Sequence, residues 1–410
     1  MNAIDAKLEE YARLTLEVGL GFQAGQRLLI LADVEAVPFV RQVADVAYRM
    51  GAKYVNVLYT DDHIRRSRFL HASKESLSEI HEWLAQARNE SAAADDAVLA
   101  IFSQDLQLLE GIDGELILIE ENALESRTEL FWERLGSNKF NWTAVPYPSQ
   151  AWADRVFPND ANALGKFSTA MAQAVLLDRP DPSAAWRAHC ETLRKRREYL
   201  NAKRYSALRY RAPGTDLELG LADDHVWRGG ETIAPNGAVY VADIPTFEVF
   251  TAPHRDRVNG TVRGTKPRIF MGTLCEDWSL EFKDGRVINA NARVGLEALQ
   301  KYLETDEGTH YLGEVALVAS GSPVDQTGVV FRMALLDENA ASHIALGFAY
   351  RGTIQNGGEM SGEEFMAKGG NLSNGHADVM IGSDQMDVDG VFADGSSEPL
   401  MRKGQFVFEQ

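Results

Sequence analysis

The 410-residue chain carries 60 Asp and Glu against 41 Lys and Arg, a net charge of -19, a balance that repels phosphate and excludes nucleic acid as a bulk partner. With 45% apolar and 25% charged residues, the composition is that of a globular protein long enough for about two or three domains. Two cysteines, Cys190 and Cys275, rule out a disulfide framework, and the start has no basic-then-apolar order, so a reducing cytoplasm is the expected setting.

In chain order, a short amphipathic helix is expected over 5–18, then a strand over 25–31, whose continuous apolar run suits burial on both faces. Helical periodicity over 37–50 ends at Gly51, where a glycine relieves the backbone. A strand follows over 52–59, a helix over 74–88 and a strand over 97–102; 115–119 or 142–147 would supply further strands. Alternation of this kind predicts an open parallel sheet in an α/β domain. The first strand is not followed by a glycine-rich phosphate loop, so nucleotide binding does not follow from the layering.

A Pro/Asp break, Asp178-Arg-Pro-Asp-Pro182, precedes a charged connecting helix over 184–204, which closes an N-terminal domain at 1–205. Beyond it, in 206–410, short β-prone pieces such as 216–221 and 238–241 alternate with Gly, Asn and Asp turns. Phe282-Lys-Asp-Gly-Arg-Val287 is a hairpin signal, because Asp-Gly accepts positive φ. One helix is expected over 292–304. The fold class is thus an N-terminal open parallel-sheet α/β domain followed by a largely antiparallel, β-rich α+β domain. No apolar run approaches about 18 residues, so no membrane span is expected.

Of nine histidines, His63, His71, His81, His189, His225, His254 and His310 read as surface or satisfied side chains. His376-Ala-Asp378 differs: in an extended segment both side chains share a face, which suits chelation of a divalent ion. Asp337-Glu-Asn-Ala-Ala-Ser-His343 is a dense polar patch that reads either as surface or as part of a site. Glu314 opens a hydrophobic strand, where a buried charge needs a cation or hydrogen bonds. Glu248 has a similar setting, with a solvated edge strand as the competing reading. Cys275 reads as a packing residue.

Four ordered blocks carry a resemblance: Pro245-Thr-Phe-Glu-Val-Phe-Thr-Ala-Pro253, Thr305-Asp-Glu-Gly-Thr-His-Tyr-Leu-Gly-Glu314, Asp337-Glu-Asn-Ala-Ala-Ser-His343 and His376-Ala-Asp-Val-Met-Ile-Gly382. They resemble the metal-dependent aminopeptidases of the aminopeptidase T and aminopeptidase S type, peptidase family M29, over near-full length. The resemblance implies a catalytic, metal-binding second domain with a two-metal site on Glu248, Glu314, His343, Tyr350, His376 and Asp378. Two departures stand out: Phe247 occupies a position where the family commonly has a second glutamate, and Gly375 one where it has a bulkier apolar residue.

The chemistry implied is removal of one residue from short peptides with a free N-terminus. Two divalent ions about 3.5–4 Å apart supply a nucleophile at neutral pH and a partner for the oxyanion. Glu248 or Glu314 would bridge them, Tyr350 would bind metal or stabilise the oxyanion, and Glu314 is a candidate proton donor. Mixed carboxylate, imidazole and phenolate ligation accommodates zinc or cobalt, with manganese also possible. The resemblance further implies a homodimer with enclosed active sites. Two other functions use the same residues: a mononuclear Fe(II) ring-cleaving dioxygenase on His343, His376 and Asp378, and a non-catalytic peptide-binding or assembly protein.

Overall fold

The computed structural model describes residues 2–103, 108–109 and 111–409. It divides into two compact units, Met1–His189 with Glu231–Pro245, and Cys190–Gly230 with Thr246–Gln410.

The first unit holds a parallel sheet of β1 (Arg27–Asp33), β2 (Tyr54–Thr60), β3 (Ala97–Phe102) and β4 (Trp142–Pro146), in the order β2-β1-β3-β4. Leu28, Leu29 and Ile30 are all buried, as a strand covered on both faces requires. The helix Val37–Arg49 has proline in its first turn and turns Phe39, Val40, Val43 and Val46 inward, and Phe39 stacks on Tyr11 with ring centroids 4.5 Å apart. Gly51 follows with φ +93°, the left-handed conformation expected of it.

Two expectations in this unit are corrected. The apolar run at 115–119 lies in a helix, Gly114–Arg127, not a strand. Asp113 caps it by accepting from the Glu115 amide, and Glu120 pairs with Arg65 and Arg68, so caps and ion pairs override β-propensity. The helix expected over 74–88 is two pieces, a 3-10 turn Lys74–Ser78 capped by Ser73 and a helix Glu82–Ala93.

The second unit is β-rich and antiparallel. Its eight-stranded sheet includes the hairpin Ser279–Lys283 and Arg286–Asn291, whose turn residues Asp284 and Gly285 both have positive φ, 47° and 82°. A Cβ on Gly285 would lie 1.8 Å from the Arg255 carbonyl oxygen, so the turn needs glycine for space as well as conformation. The helix expected over 292–304 is shorter, Leu296–Leu303, because Gly295 before it adopts φ +75°.

A second antiparallel sheet, of four strands, positions the site: β5 (Glu248–Thr251), β6 (Leu312–Val318), β7 (His343–Gly347) and β8 (His376–Met380), in the order β8-β7-β6-β5. Side chains alternate across it. Val249, Val315, Leu317, Ile344, Leu346, Ala377 and Val379 point into the hydrophobic core of this unit. Each buried aliphatic side chain stabilises the fold by about 1.5–3 kcal/mol, so this pattern fixes which residues occupy the other face.

Candidate metal centre

The other face carries the candidate ligands. Register pairs Glu248 with Val318, Ala316 with His343, and His343 with Met380. Glu314 lies opposite Ala345, which lies opposite Asp378, and Gly347 opposite His376. Paired residues share a face, so Glu248, Glu314, His343, His376 and Asp378 converge. Ala316, Ala345 and Gly347 keep the floor between them low.

The acidic and imidazole groups meet closely. Nε2 of His343 is 3.1 Å from Oε2 of Glu248 and 3.5 Å from Oε1 of Glu314. Nε2 of His376 is 3.3 Å from Oδ1 of Asp378 and 3.7 Å from Oε2 of Glu314. The Glu314 carboxylate therefore lies between the imidazoles, one oxygen toward each. Glu248, Glu314 and His343 each present a ligand atom within 4.8 Å of the others'.

Both histidines are anchored through the far side of the ring. Nδ1 of His343 is 3.1 Å from the Ala341 carbonyl oxygen, and Nδ1 of His376 is 2.8 Å from that of Phe348. A carbonyl only accepts, so Nδ1 carries the proton and Nε2 is the nitrogen presented to the carboxylates, the arrangement typical of metal-ligating histidines.

The electrostatics are those of a cluster that wants a cation. Burial, with neighbouring Glu248 and Asp378, pushes the Glu314 carboxyl up, against the pull of the histidines. Burial opposes charge on both imidazoles, yet the carboxylates outweigh it: Glu248 and Glu314 raise His343 well above the usual histidine range, and Asp378 and Glu314 raise His376 to about 9. Asp378 is held low despite burial, chiefly by His376. Oε2 of Glu248 is buried and faces Nε2 of His343, a position a bound ion would share with that imidazole. Buried oxygens beside imidazole nitrogens form a donor set suited to divalent transition metals, so the residues fit a metal.

Tyr350 stands apart from the other five. It lies beyond the end of β7, 47% exposed, with its ring 5.1 Å from that of His376, 5.3 Å from Phe348 and 6.1 Å from Phe250. The patch at 337–343 is not surface: Asp337, Asn339 and His343 are buried. Glu248 is on an edge strand, but its side chain is only 12% exposed. Cys275 is buried in the core.

Sequence reasoning passed over two supporting asparagines. Oδ1 of Asn339 accepts from the Phe247 amide at 2.6 Å, fixing the backbone next to Glu248. Nδ2 of the fully buried Asn371 donates to the carbonyls of Gly308 (2.8 Å) and Gly347 (2.6 Å), tying the end of β7 to the turn before β6. Asn371 sits in an ordinary Gly-Gly-Asn stretch with no local signal; Asn339 lay inside the polar patch and was visible as one of its members.

A family model described as thermophilic metalloprotease (M29) matches residues 4–406. The chain is 42% identical to aminopeptidase T of Thermus thermophilus over 409 residues, covering 99% of this chain and 100% of the relative. It is 40% identical to aminopeptidase 2 of Geobacillus stearothermophilus over 411 residues, with both chains fully covered. Among solved structures, wild-type AmpT from Thermus thermophilus superposes with a TM-score of 0.92 at 41% identity, covering 99% of this chain and 100% of that one.

Proposed function

Since the chain belongs to the M29 family of thermophilic metalloproteases, we propose that it removes the first residue from short peptides with a free N-terminus at a dinuclear metal site. The protein is a metallo-aminopeptidase; the finer reading concerns its ion pair, its ligands and its substrates. Glu248, Glu314, His343, Tyr350, His376 and Asp378 would hold two divalent ions, zinc or cobalt with manganese also suitable. The observation that carries the dinuclear reading is the Glu314 carboxylate, with one oxygen toward each histidine.

When bound, such a pair supplies a nucleophile at neutral pH and positive charge for the developing oxyanion. The chain's own groups do the rest. The Nδ1 bonds to the Ala341 and Phe348 carbonyls hold both imidazoles in one tautomer and orientation. The low floor at Ala316, Ala345 and Gly347 leaves room for a peptide backbone over the sheet. Glu314 would carry a proton toward the leaving amine only where Glu248 bridges the ions and leaves a Glu314 oxygen free of metal. Tyr350, at the rim beside His376, would either complete the coordination of an ion or, as a neutral phenol, hydrogen-bond the developing oxyanion. A mononuclear iron reading would leave Glu248 and Glu314 as buried charges with no task, which weighs against it.

Among the described residues no helix is long and apolar enough to cross a membrane. A cytoplasmic homodimer is part of the proposal, resting on the two unpaired cysteines and on the resemblance to the family. The test is protein stripped by chelation and reloaded separately with Zn, Co, Mn or Fe(II), assayed on unblocked and N-acetylated peptides, with metal counted per chain. Release of the first residue from unblocked peptides alone, at two ions per chain, is the expected result. Full activity at one ion per chain would overturn the dinuclear assignment.

A further inference from the structure

The ligand-bearing sheet does not end at β5. Arg228 forms a two-way antiparallel bridge to Phe250 of β5: its amide donates to the Phe250 carbonyl at 2.8 Å, and its carbonyl accepts from the Phe250 amide at 3.0 Å. Phe250 in turn pairs with Ala316 of β6, and Ala316 with His343 of β7, so Arg228, Phe250, Ala316 and His343 form one row across the strands. Residues opposed in such a row share a face. The neighbour of Arg228 gives the same answer: Trp227 is fully buried in the core with Val249, and alternation turns Arg228 to the opposite face, the one that carries the ligands.

The guanidinium is held on that face. Its Nε donates to the Gly352 carbonyl at 2.7 Å, two residues past Tyr350, and the Val226 amide donates to the Thr353 carbonyl at 2.7 Å, so the turn after Tyr350 is stitched to the Arg228 segment. An aromatic stretch connects this corner to the metal centre: the Phe250 ring is 6.1 Å from that of Tyr350, which is 5.1 Å from that of His376. Arg228 is exposed, and among the described residues its Nη1 and Nη2 make no hydrogen bond or ion pair. Arg197 donates to the carbonyl of the next residue, Gly229, at 3.1 Å, which adds a second positive charge nearby. In a chain of net charge -19, a cation with no acidic partner on the face of a carboxylate-lined centre stands out.

The row also sets a distance. Strands about 4.8 Å apart put Arg228 about 10 Å from Ala316, on the floor of the centre. Two residues of extended peptide beyond the cleaved bond span about 7 Å, and a charge-assisted hydrogen bond adds about 3 Å. Nearer in, Glu248, Glu314 and Asp378 repel a negative charge on the substrate, whereas the free Nη fork matches a carboxylate. We propose that Arg228 is a specificity-determining residue that receives a substrate carboxylate two residues beyond the cleaved bond, either the C-terminal α-carboxylate of a tripeptide or an acidic side chain at that position. The proposal rests on the aminopeptidase reading above.

The test compares wild type, Arg228→Met and Arg228→Lys, all metal-reloaded and matched for metal content, on Leu-Ala-Ala, Leu-Ala-Ala amide and Leu-Ala-Glu amide, with KM and kcat separated. Arg228→Met is expected to raise KM for Leu-Ala-Ala about three- to tenfold, as for a charged hydrogen bond at an exposed site, with a smaller effect on its amide. Arg228→Lys should restore part of the loss, since it keeps the charge without the fork. A loss on the free acid alone assigns the contact to the α-carboxylate, and a matching loss on Leu-Ala-Glu amide extends it to acidic side chains; both support the proposal. Equal changes on Leu-Ala-Ala and its amide, an unchanged KM, or a change confined to kcat would overturn it. Should the Met variant fail to fold, wild type and Arg228→Lys decide: a free-acid advantage in KM that shrinks in the Lys variant supports the contact, and one that is absent or unchanged rejects it. Wild type that cleaves none of the peptides with any metal defeats the aminopeptidase reading itself, an outcome distinct from the others.

Discussion

Replacing Gly347 by alanine isolates the backbone beneath the site. Gly347 adopts φ +114° and pairs with His376 across β7 and β8. A Cβ there would lie 1.9 Å from the Gly375 carbonyl oxygen, 2.6 Å from its carbon and 3.2 Å from Cα of His376. Ordinary contact is well over 3 Å, so β8 must move away by more than an ångström. That movement breaks the bond in which the Phe348 amide donates to Gly375 (2.8 Å) and drags His376 from Glu314. Strain of about 1–3 kcal/mol, a hydrogen bond of about 0.5–1.5 and overpacking of about 1–3 combine to roughly 2.5–7.5 kcal/mol of lost stability. Urea unfolding followed by circular dichroism reads that loss, and equilibrium metal titration reads the displaced ligand. Gly358→Ala is the control, since nothing lies within 4 Å of its added Cβ, and it should shift stability by less than about 0.5 kcal/mol. Wild-type stability and metal affinity in Gly347→Ala would refute the reasoning.

Removing His376 as alanine should lower metal-dependent turnover by more than the roughly 10–100-fold typical of losing an outer-sphere partner; wild-type metal content and turnover in that variant would sink its assignment as a ligand. Metal loading should release protons, because His343 is raised well above the usual range and His376 to about 9, whereas a ligating imidazole must be neutral. Affinity should therefore climb as pH rises toward 9, and calorimetry at pH 7 in buffers of different ionisation heat should detect the released protons; identical heats would contradict this. The same shift acts on the metal-free protein: the folded pKa of His376 exceeds its unfolded value of about 6.5, so its contribution to stability is complete below about 6.5 and is lost as pH rises through about 9. Melting temperatures of stripped protein across that window should fall, and a rise would reverse the sign of the argument. Asn371→Ala leaves the buried carbonyls of Gly308 and Gly347 without their donor and should cost about 2–4 kcal/mol, measured by denaturant titration; a loss below about 0.5 kcal/mol would show that water replaces the side chain.

The layers of the first unit were legible because burial on both faces writes continuous apolar runs, as in Leu28, Leu29 and Ile30. The run at 115–119 misled for the same reason, since its helical state depends on Asp113 and on arginines at positions 65 and 68, distant in sequence. In the site, His376 and Asp378 were readable from their two-residue spacing, and Glu314 from being a charge inside an apolar strand. Their convergence with Glu248 and His343 was not readable from local pattern, because it depends on the register of strands far apart in the chain. The support at Asn371 left no trace either: its significance lies in which carbonyls its amide meets.

The four-stranded sheet also sets the order of events as the polypeptide matures. Its candidate ligands come from Glu248 at one end of the sequence span and Asp378 at the other, and β8, which brings His376 and Asp378, enters last in chain order. With all five residues as ligands, as proposed above, Glu248, Glu314 and His343 would form only part of the cage until β8 zips onto β7, so a nascent or truncated chain ending before β8 would lack the complete site. With the ligand set proposed above, ion capture would report completion of this sheet, and free metal in the surroundings would shift the folding equilibrium toward it. Scarcity of metal would then be felt by the cell as a shorter-lived protein as well as a slower one.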